Sequence, residues 1–223
     1  MKKILLLMAM ALPFVFISCN DDKDEPESPD NHEWVDLGLP SGTLWATCNI
    51  GANSPEEYGD YFAWGETVPK DFYDMDNYKW PYFSKYNDTD MKAELELEDD
   101  AAYMNWGSQW RMPSLEQFDE LFNSCSCRWT QRNGVNGELL TGPNGKTLFL
   151  PAAYLRSERP FSDTGSIGFY WSRMRYTVTP DDFLDGSNYP VHLEFSSDDW
   201  RTCSRLPYRY LGLSVRAVRV SKN

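Results

Sequence analysis

The sequence predicts one domain that mixes helices with short strands and long aromatic loops, and three observations support this fold class. Residues 114–124 carry a complete helix signal. From residue 34 onward, short apolar runs are separated by Gly and Pro, a pattern typical of strands joined by turns. The 9 Trp, 13 Tyr and 12 Phe are many for a small domain. They indicate a loop-rich fold packed with large rings, some of them exposed for binding.

Residues 1–18 are predicted to be a signal peptide that precedes a lipidated cysteine. Two lysines come before an apolar run over residues 4–17, which is too short to span a bilayer. Ser18 before Cys19 resembles a bacterial lipobox, in which the cysteine is acylated and becomes the mature N-terminus. The alternative is an ordinary secretory signal with an incidental cysteine.

Residues 19–33 are predicted to be an acidic tether without a fold of its own. After Cys19 the segment has seven acids, one Lys, two prolines and no apolar residue. It therefore cannot bury surface to offset the entropy of ordering. Acids directly after the lipid cysteine also resemble the export signal that sends lipoproteins of the Bacteroides group to the outer cell surface. We expect an outer-membrane protein that is exposed at the cell surface and touches the membrane through its lipid anchor only.

The charge and the histidine content argue against two classes of function. A formal net charge of −13 argues against nucleic acid as a partner, because the phosphate backbone is itself negative. The only histidines are His32, in the tether, and His192, in a predicted strand. A His-based catalytic triad or zinc site is therefore not expected. His192 is predicted to be a half-buried strand residue.

The elements expected before the main helix are strands, one long loop and a short helix. Residues 68–92 are polar, aromatic and irregular, and we expect a long loop packed by its own rings. A short helix is predicted over residues 98–104. The predicted strands are residues 34–37, 43–47 and 59–65.

The main helix is predicted over residues 114–124. Ser114 can cap the first turn, and Gln117 can reach back to complete a capping box. Pro113 disfavours helical geometry in the residue before it, so the helix cannot begin earlier. The apolar positions recur on one helical face: Leu115, Phe118, Leu121 and Phe122.

After the helix, the sequence predicts hairpins and further strands. Residues 129–132 and 138–141 are the arms of a hairpin region with turns at 133–134 and 136–137. A Gly-Pro-Asn-Gly turn then leads into residues 146–150. The remaining predicted strands are residues 168–172, 191–196 and 213–220.

Seven segments, in order along residues 34–220, together resemble one family. They are WATCNIGA (45–52), GDYFAWGET (59–67), EDDAA (98–102), WRMPS (110–114), FLPAA (149–153), GFYWS (168–172) and GLSVR (212–216). This pattern resembles the Fibrobacter succinogenes major paralogous domain, common in surface lipoproteins of Bacteroidetes. The helix start and the closing Ser-Val-Arg strand are also similar to the formylglycine-generating-enzyme type of C-type lectin fold. The resemblance implies an α+β, C-type lectin-like domain with two helices, small antiparallel sheets and long loops, and it implies no established chemistry.

The resemblance also indicates where a ligand would bind. Related domains display a variable ligand face between the segments that match Tyr-Trp-Ser and Ser-Val-Arg, which here is the interval 173–211. Its Trp and Tyr residues can stack on a sugar, and its Asp and Arg residues can bind hydroxyls. The alternative is a solvated loop that packs its own aromatics. The candidate ligand-binding residues are Arg173, Arg175, Tyr176, Tyr189, Asp198, Asp199, Trp200, Arg201, Arg205 and Tyr208.

We therefore expect a non-enzymatic surface module that recognises a glycan or a protein of a host or bacterial surface. A structural component of a cell-surface assembly is the main alternative. An oxidase-like enzyme would need a reactive thiol. Formylglycine-generating enzymes use a cysteine pair near this end of the fold, whereas this chain has only Cys203 there, so no catalytic residue is predicted.

The other cysteines and an acidic cluster complete the candidate sites. Disulfide pairing is the default in an exported protein. A bridge between Cys48 and Cys125 is the expected pairing, although connectivity cannot be read from a sequence. The cluster of Glu96, Glu98, Asp99 and Asp100 suits either a calcium site or a helix N-terminus. No Asp-x-Asp-x-Asp-Gly loop or lectin calcium motif is present, so no metal or other cofactor is predicted.

Overall fold

A computed structural model describes residues 31–81, 84–158, 164–176, 189–198, 201–206 and 208–220. The predicted signal peptide, the lipidation site Cys19 and most of the acidic tether lie outside the described residues, as do Asp199 and Trp200. The described part of the chain contains two α-helices and short strands in three sheets. The α+β fold class is therefore confirmed.

The longest connection between these elements is the segment between β3 and α1. That segment ends in a 3-10 turn at Leu97–Asp99. The helices are α1 (Ala101–Trp106) and α2 (Leu115–Ser124). The strands are β1 (Trp34–Asp36), β2 (Thr43–Ala46), β3 (Tyr61–Phe62), β4 (Ser126–Arg132), β5 (Val135–Thr141), β6 (Thr147–Pro151), β7 (Ile167–Arg175), β8 (Pro190–Ser196), β9 (Arg201–Arg205), β10 (Leu213–Ser214) and β11 (Val218–Val220).

Three sheets surround the core. The central sheet has the order β3-β10-β7-β8-β9, and its pairs are antiparallel except β10 with β7. The strands β4, β5 and β6 form an antiparallel meander. The third sheet, β1-β2-β11, joins the beginning and the end of the domain, with Val218 opposite Trp45.

The helix α2 begins where the capping signals predict. The Ser114 hydroxyl accepts a hydrogen bond from the Gln117 N–H at 3.2 Å, and the Gln117 side chain accepts one from the Ser114 N–H at 2.9 Å. Two free N–H groups of the first turn are thereby satisfied. Phe118 and Leu121 are buried, and Phe118 lies 5.8 Å from the Trp45 ring. The predicted cap and apolar face are both confirmed.

Several predicted elements differ in extent. Asn136-Gly137 is not a turn but lies within β5, where a Cβ at Gly137 would overlap the Leu150 carbonyl oxygen. The β4–β5 turn is Asn133-Gly134, both with positive φ (48° and 83°), which suits the right-handed twist of a hairpin. The strand expected over 213–220 is divided into β10 and β11, the strand expected over 59–65 has only two residues, and β9 was not predicted.

The long loop is fastened to the core by buried tyrosines. Tyr78 donates its hydroxyl hydrogen bond to the Trp64 carbonyl at 2.8 Å, and Tyr73 donates to the Tyr61 carbonyl. Tyr86 is fully buried and packs edge-on against Trp64, with ring centroids 5.3 Å apart. Within the loop, the Trp80 ring centroid lies 6.0 Å from that of Tyr78 and 5.5 Å from that of Tyr86. The prediction of a loop packed by its own rings is therefore confirmed for these residues, and the rings also reach the main core.

Motif residues also hold the core together. The indole N–H of Trp171 donates to the Phe62 carbonyl, and that of Trp64 donates to the Ser172 carbonyl, both at 2.8 Å. Arg216 is fully buried and donates to the Asn49 side chain at 2.9 Å and to backbone carbonyls of residues 46 and 47. The segments that carry the family resemblance therefore contribute internal hydrogen bonds here.

Candidate functional site

Three arginines of the predicted ligand face bind the protein's own groups. Arg175 is only 3% exposed and donates to the carbonyls of Lys92 (2.7 Å) and Asn87 (3.0 Å), which fastens the long loop to β7. Arg201 donates to the Glu138 carboxylate at 2.7 Å and so links β9 to β5. These placements argue against a direct ligand role for either arginine, because each side chain is already engaged in the fold.

Arg173 also makes internal hydrogen bonds, but together with Arg111 and Arg219 it lines a cleft. Its Nε donates to Glu94, and its Nη1 donates to the Met112 carbonyl at 2.8 Å and to Gln117 Oε1 at 2.9 Å. Since Gln117 caps α2, Arg173 ties β7 to the start of that helix.

The other predicted residues that the structure describes do not form one surface. The Tyr176 N–H donates to the Tyr189 carbonyl at 2.8 Å and closes the end of the β7–β8 pair. Asp198 is exposed in the turn after β8. Arg205 lies in β9 with its backbone opposite Val191. Tyr208 lines a different cleft, which lies outside the central sheet strands named above.

We call this cleft the tyrosine cleft. It has a volume of about 600 Å³, within the range of roughly 300–1,000 Å³ that is usual for small-ligand sites. Residues from three separate parts of the chain meet there: 73–75, then 154, 155, 157 and 158, then 206, 208, 210 and 211. The polar and aromatic groups that line it are Tyr73, Asp74, Tyr154, Ser157, Glu158, Tyr208 and Tyr210.

The tyrosine rings give the cleft an exposed rim and a buried floor. Tyr208 is 50% exposed, and its ring centroid lies 5.7 Å from that of the half-buried Tyr210. Tyr73 is buried below them. Tyr154 has a positive φ of 56°, which is rare for an aromatic residue, and its N–H donates to the Ile167 carbonyl at 2.9 Å. Such backbone strain is often found where a protein positions a side chain for function.

The formal charges among the described residues of the tyrosine cleft are both negative. They belong to Asp74 and Glu158. Burial raises the pKa of Tyr210, and the neighbouring Tyr208, Glu158 and Asp74 raise it further. The cleft thus offers carboxylate acceptors and phenol hydroxyls, which suit a neutral ligand rich in hydroxyl groups and disfavour an anionic one.

The described cysteines are free thiols without the signs of an activated nucleophile. Cys48, Cys125, Cys127 and Cys203 are all unbridged, so the expected Cys48–Cys125 disulfide is not formed. Burial, with smaller effects of nearby acids, raises the pKa of Cys203 to about 12 and that of Cys125 to about 11. A reactive cysteine has a lowered pKa, because the thiolate is the nucleophile.

The acidic cluster is neutralised by lysines. One oxygen each from Glu96, Glu98 and Asp99 lies within 4.8 Å of the others, a spacing that could hold a cation. Lys85 Nζ lies 2.6 Å from Asp99, 2.7 Å from Glu96 and 3.6 Å from Glu98, so its ammonium group already occupies this position. Asp100 instead caps α1, where it accepts from the N–H groups of residues 102 and 103.

His192 lies deeper than predicted. It is 1% exposed, and its ring packs near Phe169 and Trp171, with centroids 5.6 and 6.1 Å away. Its Nε2 lies 3.5 Å from both the Glu194 carboxylate and the Ser204 hydroxyl. It is a core residue, because both faces of the central sheet are covered at β8.

Sequence reasoning missed most of the tyrosine cleft. Tyr210 lies inside the predicted interval, and its spacing of two from Tyr208 could have indicated a shared face. Asp74, Tyr154 and Glu158 carried no local signal. Isolated bridges that pair Tyr154 with Gly168 and Arg156 with Gly212 bring their segments to the cleft.

Comparisons of the chain with family models, curated proteins and solved structures return no match. Within the part of the chain that the structure describes, no helix has the length and apolar character needed to cross a membrane.

Proposed function

We propose that this protein is a non-enzymatic binding module, displayed on a lipid anchor at the cell surface, that recognises a neutral glycan in the tyrosine cleft. The observation that carries the proposal is the composition of the cleft. Exposed and half-buried tyrosine rings stand beside two carboxylates, without a cation among the described lining residues.

The chemistry of the cleft favours a sugar over other neutral ligands. The face of a phenol ring packs well against the apolar C–H face of a sugar, and Tyr208 presents such a face to solvent. Carboxylate oxygens accept strong hydrogen bonds from hydroxyl groups. One oxygen of Asp74 already accepts from the Asn77 N–H at 2.8 Å, which holds that side chain in place for a ligand.

The same proposal includes the finer fold and the anchor. We infer a C-type lectin-like arrangement and membership of the Fibrobacter succinogenes major paralogous domain. Support comes from the motif residues, since Trp64, Trp171 and Arg216 each make buried hydrogen bonds that a shared fold would require. The lipobox at Ser18-Cys19 and the acids that follow it support display on the outer membrane.

A glycan screen with a matched pair of variants tests the proposal. Tyr208→Ala should weaken binding of any neutral glycan hit about tenfold or more, because it removes an exposed stacking ring, and should hardly change the melting temperature. Tyr103→Ala, which removes a half-buried tyrosine of α1 outside the cleft, should leave the affinity unchanged.

Two results would count against glycan recognition in the tyrosine cleft. One is equal weakening by Tyr103→Ala and Tyr208→Ala. The other is a screen without any neutral hit, which together with capture of one fixed surface protein would favour the structural role.

A further inference from the structure

A second cleft has the opposite electrostatic character to the tyrosine cleft. It has a volume of about 330 Å³, and three arginines line it, Arg111, Arg173 and Arg219. We call it the arginine pocket. Tyr154 of the tyrosine cleft pairs with Gly168 near the start of β7, whereas Arg173 lies five residues further along the strand. At the rise of an extended strand this is a separation of roughly 17 Å.

The guanidinium group of Arg111 is fixed by buried groups. Its Nε donates to the Asp100 carboxylate at 2.7 Å, and its Nη2 donates to the Leu95 carbonyl at 3.2 Å. Asp100 is completely buried and is itself held as the cap of α1. Arg111 therefore does not need to be ordered when a ligand binds, which lowers the entropic cost of binding.

Arg173 is held by internal hydrogen bonds in the same way, and both arginines keep one nitrogen that can donate to a ligand. Its bonds to Glu94, Met112 and Gln117 use Nε and Nη1. Nη2 of Arg173 and Nη1 of Arg111 have no hydrogen-bond partner among the described residues. Two rigid guanidinium groups thus present available N–H donors at one pocket.

Arg219 forms the third side. Its Nη2 donates to Gln109 Oε1 at 2.7 Å. Its guanidinium lies over the Trp34 and Trp110 rings, 5.8 and 5.5 Å from their centroids. Cation–π attraction to the two indoles favours this position of the guanidinium, and its planar fork matches the geometry of oxyanions.

The local charge is positive although the chain is acidic. Three guanidinium groups and no carboxylate are among the described lining residues of the pocket, in a protein of formal net charge −13, and Asp100 and Glu94 pair with Arg111 and Arg173 beside it. Glu94 is 45% exposed and is shared by Arg111 and Arg173.

We propose that the arginine pocket binds an anionic group, the carboxylate or sulfate of a ligand, through Arg111, Arg173 and Arg219. This site is additional to the tyrosine cleft, whose two carboxylates would repel such a group. The protein would then have one site for a neutral hydroxyl-rich ligand and another for an oxyanion. The two could bind separate ligands or separate parts of one ligand.

Titration of the full chain in detergent, at low salt, with sodium sulfate, sodium glucuronate and glucose tests the proposal. We expect the arginine pocket to bind sulfate, glucuronate or both in the millimolar range, and higher salt should weaken this binding. Binding of glucuronate alone assigns a carboxylate ligand, and binding of sulfate alone assigns a sulfate ligand. Glucose controls for the sugar ring without the charge.

Arginine variants then locate the binding. Arg219→Gln should weaken anion binding about tenfold or more, because it removes a charged donor, and Arg219→Lys should have an intermediate effect, since the charge remains but the planar fork is lost. Arg128→Gln, at an exposed position of β4, is the matched control and should have no effect. Tyr208→Ala should also leave anion binding unchanged, which separates this proposal from the glycan proposal.

Three outcomes would overturn the proposal: neither anion binds in the millimolar range, Arg128→Gln weakens binding as much as Arg219→Gln does, or Tyr208→Ala abolishes anion binding while Arg219→Gln does not. Melting curves of the variants exclude loss of folding as the cause of a weakened affinity.

Discussion

Replacing Asp99 by asparagine should release the long loop between β3 and α1. The Asp99 carboxylate is 1% exposed and accepts hydrogen bonds from Lys79 at 2.8 Å, and from Lys85 and the Tyr86 hydroxyl, each at 2.6 Å. These three donors all belong to the loop, so one buried anion fastens it at three points. Asparagine has nearly the same shape but lacks the negative charge.

The expected loss follows from the exposure of each donor. Lys79 is half exposed and can turn to water, so its bond contributes about 0–1 kcal/mol. The hydrogen bonds from Lys85 and Tyr86 are better shielded from water and contribute about 1.5 kcal/mol or more each to stability. The amide oxygen of an asparagine at position 99 would still accept a hydrogen bond and so retain part of this contribution. We expect Asp99→Asn to lower the free energy of unfolding by about 2.5 kcal/mol, or the melting temperature by roughly 5–10 °C.

The matched control is Glu98→Gln, the same chemical change at the neighbouring acid. Its side chain is 76% exposed and lies 3.6 Å from Lys85, so its loss should change the stability by less than about 0.5 kcal/mol. Thermal melts and urea titrations of both variants provide the measurement. Equal stabilities of Asp99→Asn and Glu98→Gln would refute the idea that the buried carboxylate fastens the loop.

The pH dependence provides a second readout of the same contact. Burial alone would raise the pKa of Asp99, but hydrogen bonds from Lys79, Lys85 and Tyr86 outweigh burial and lower it. A carboxyl group whose pKa is lower in the folded state stabilises the fold above its unfolded pKa and loses this contribution as the pH falls through the folded value. The stability difference between wild type and Asp99→Asn should therefore be full near pH 7 and shrink below about pH 4.

Two further predictions concern buried groups elsewhere. Arg216→Lys should lower the free energy of unfolding by about 3 kcal/mol in a urea titration, because lysine cannot reproduce the hydrogen bonds to Asn49 and to two carbonyls. Arg128→Lys, on the exposed face of β4, is the control and should hardly change the free energy of unfolding. Thiol labelling at pH 8 should be slow at Cys203 in the native protein, since burial raises the pKa of this thiol to about 12. After unfolding without reductant, Cys48 and Cys125 should both react, and failure of these two to label would indicate a bridge between them.

Local signals predicted the parts of the fold that depend on neighbours in sequence. The cap of α2, its apolar face and the Asn133-Gly134 turn are each specified within a few residues, and all three are present. The extent of β3, the gap between β10 and β11 and the existence of β9 depend on partners far along the chain. For example, β10 ends after Ser214, and the following residues place Arg216 against the carbonyls of residues 46 and 47.

The direction of side chains in the proposed sites was harder to predict than the strands that carry them. Between Trp171 and Arg175 the pairing of β7 with β8 shifts register, so simple alternation does not indicate which way these side chains point. Arg175 is buried, although its residue type suggested a ligand contact. The tyrosine cleft assembles from three separate segments, and no spacing within one segment encodes that assembly.

The pairing of β2 with β11 places a condition on when this domain can fold. Trp45 of β2 lies opposite Val218 of β11. Just before β11, the Arg216 side chain donates a hydrogen bond of 3.2 Å to the Ala46 carbonyl, 170 positions earlier in the chain. A growing polypeptide holds its first strands in an incomplete sheet until the last strand has emerged. The third sheet is therefore complete only once β11 is present, and removing β11 would leave the Trp45 edge unpaired and prone to aggregation.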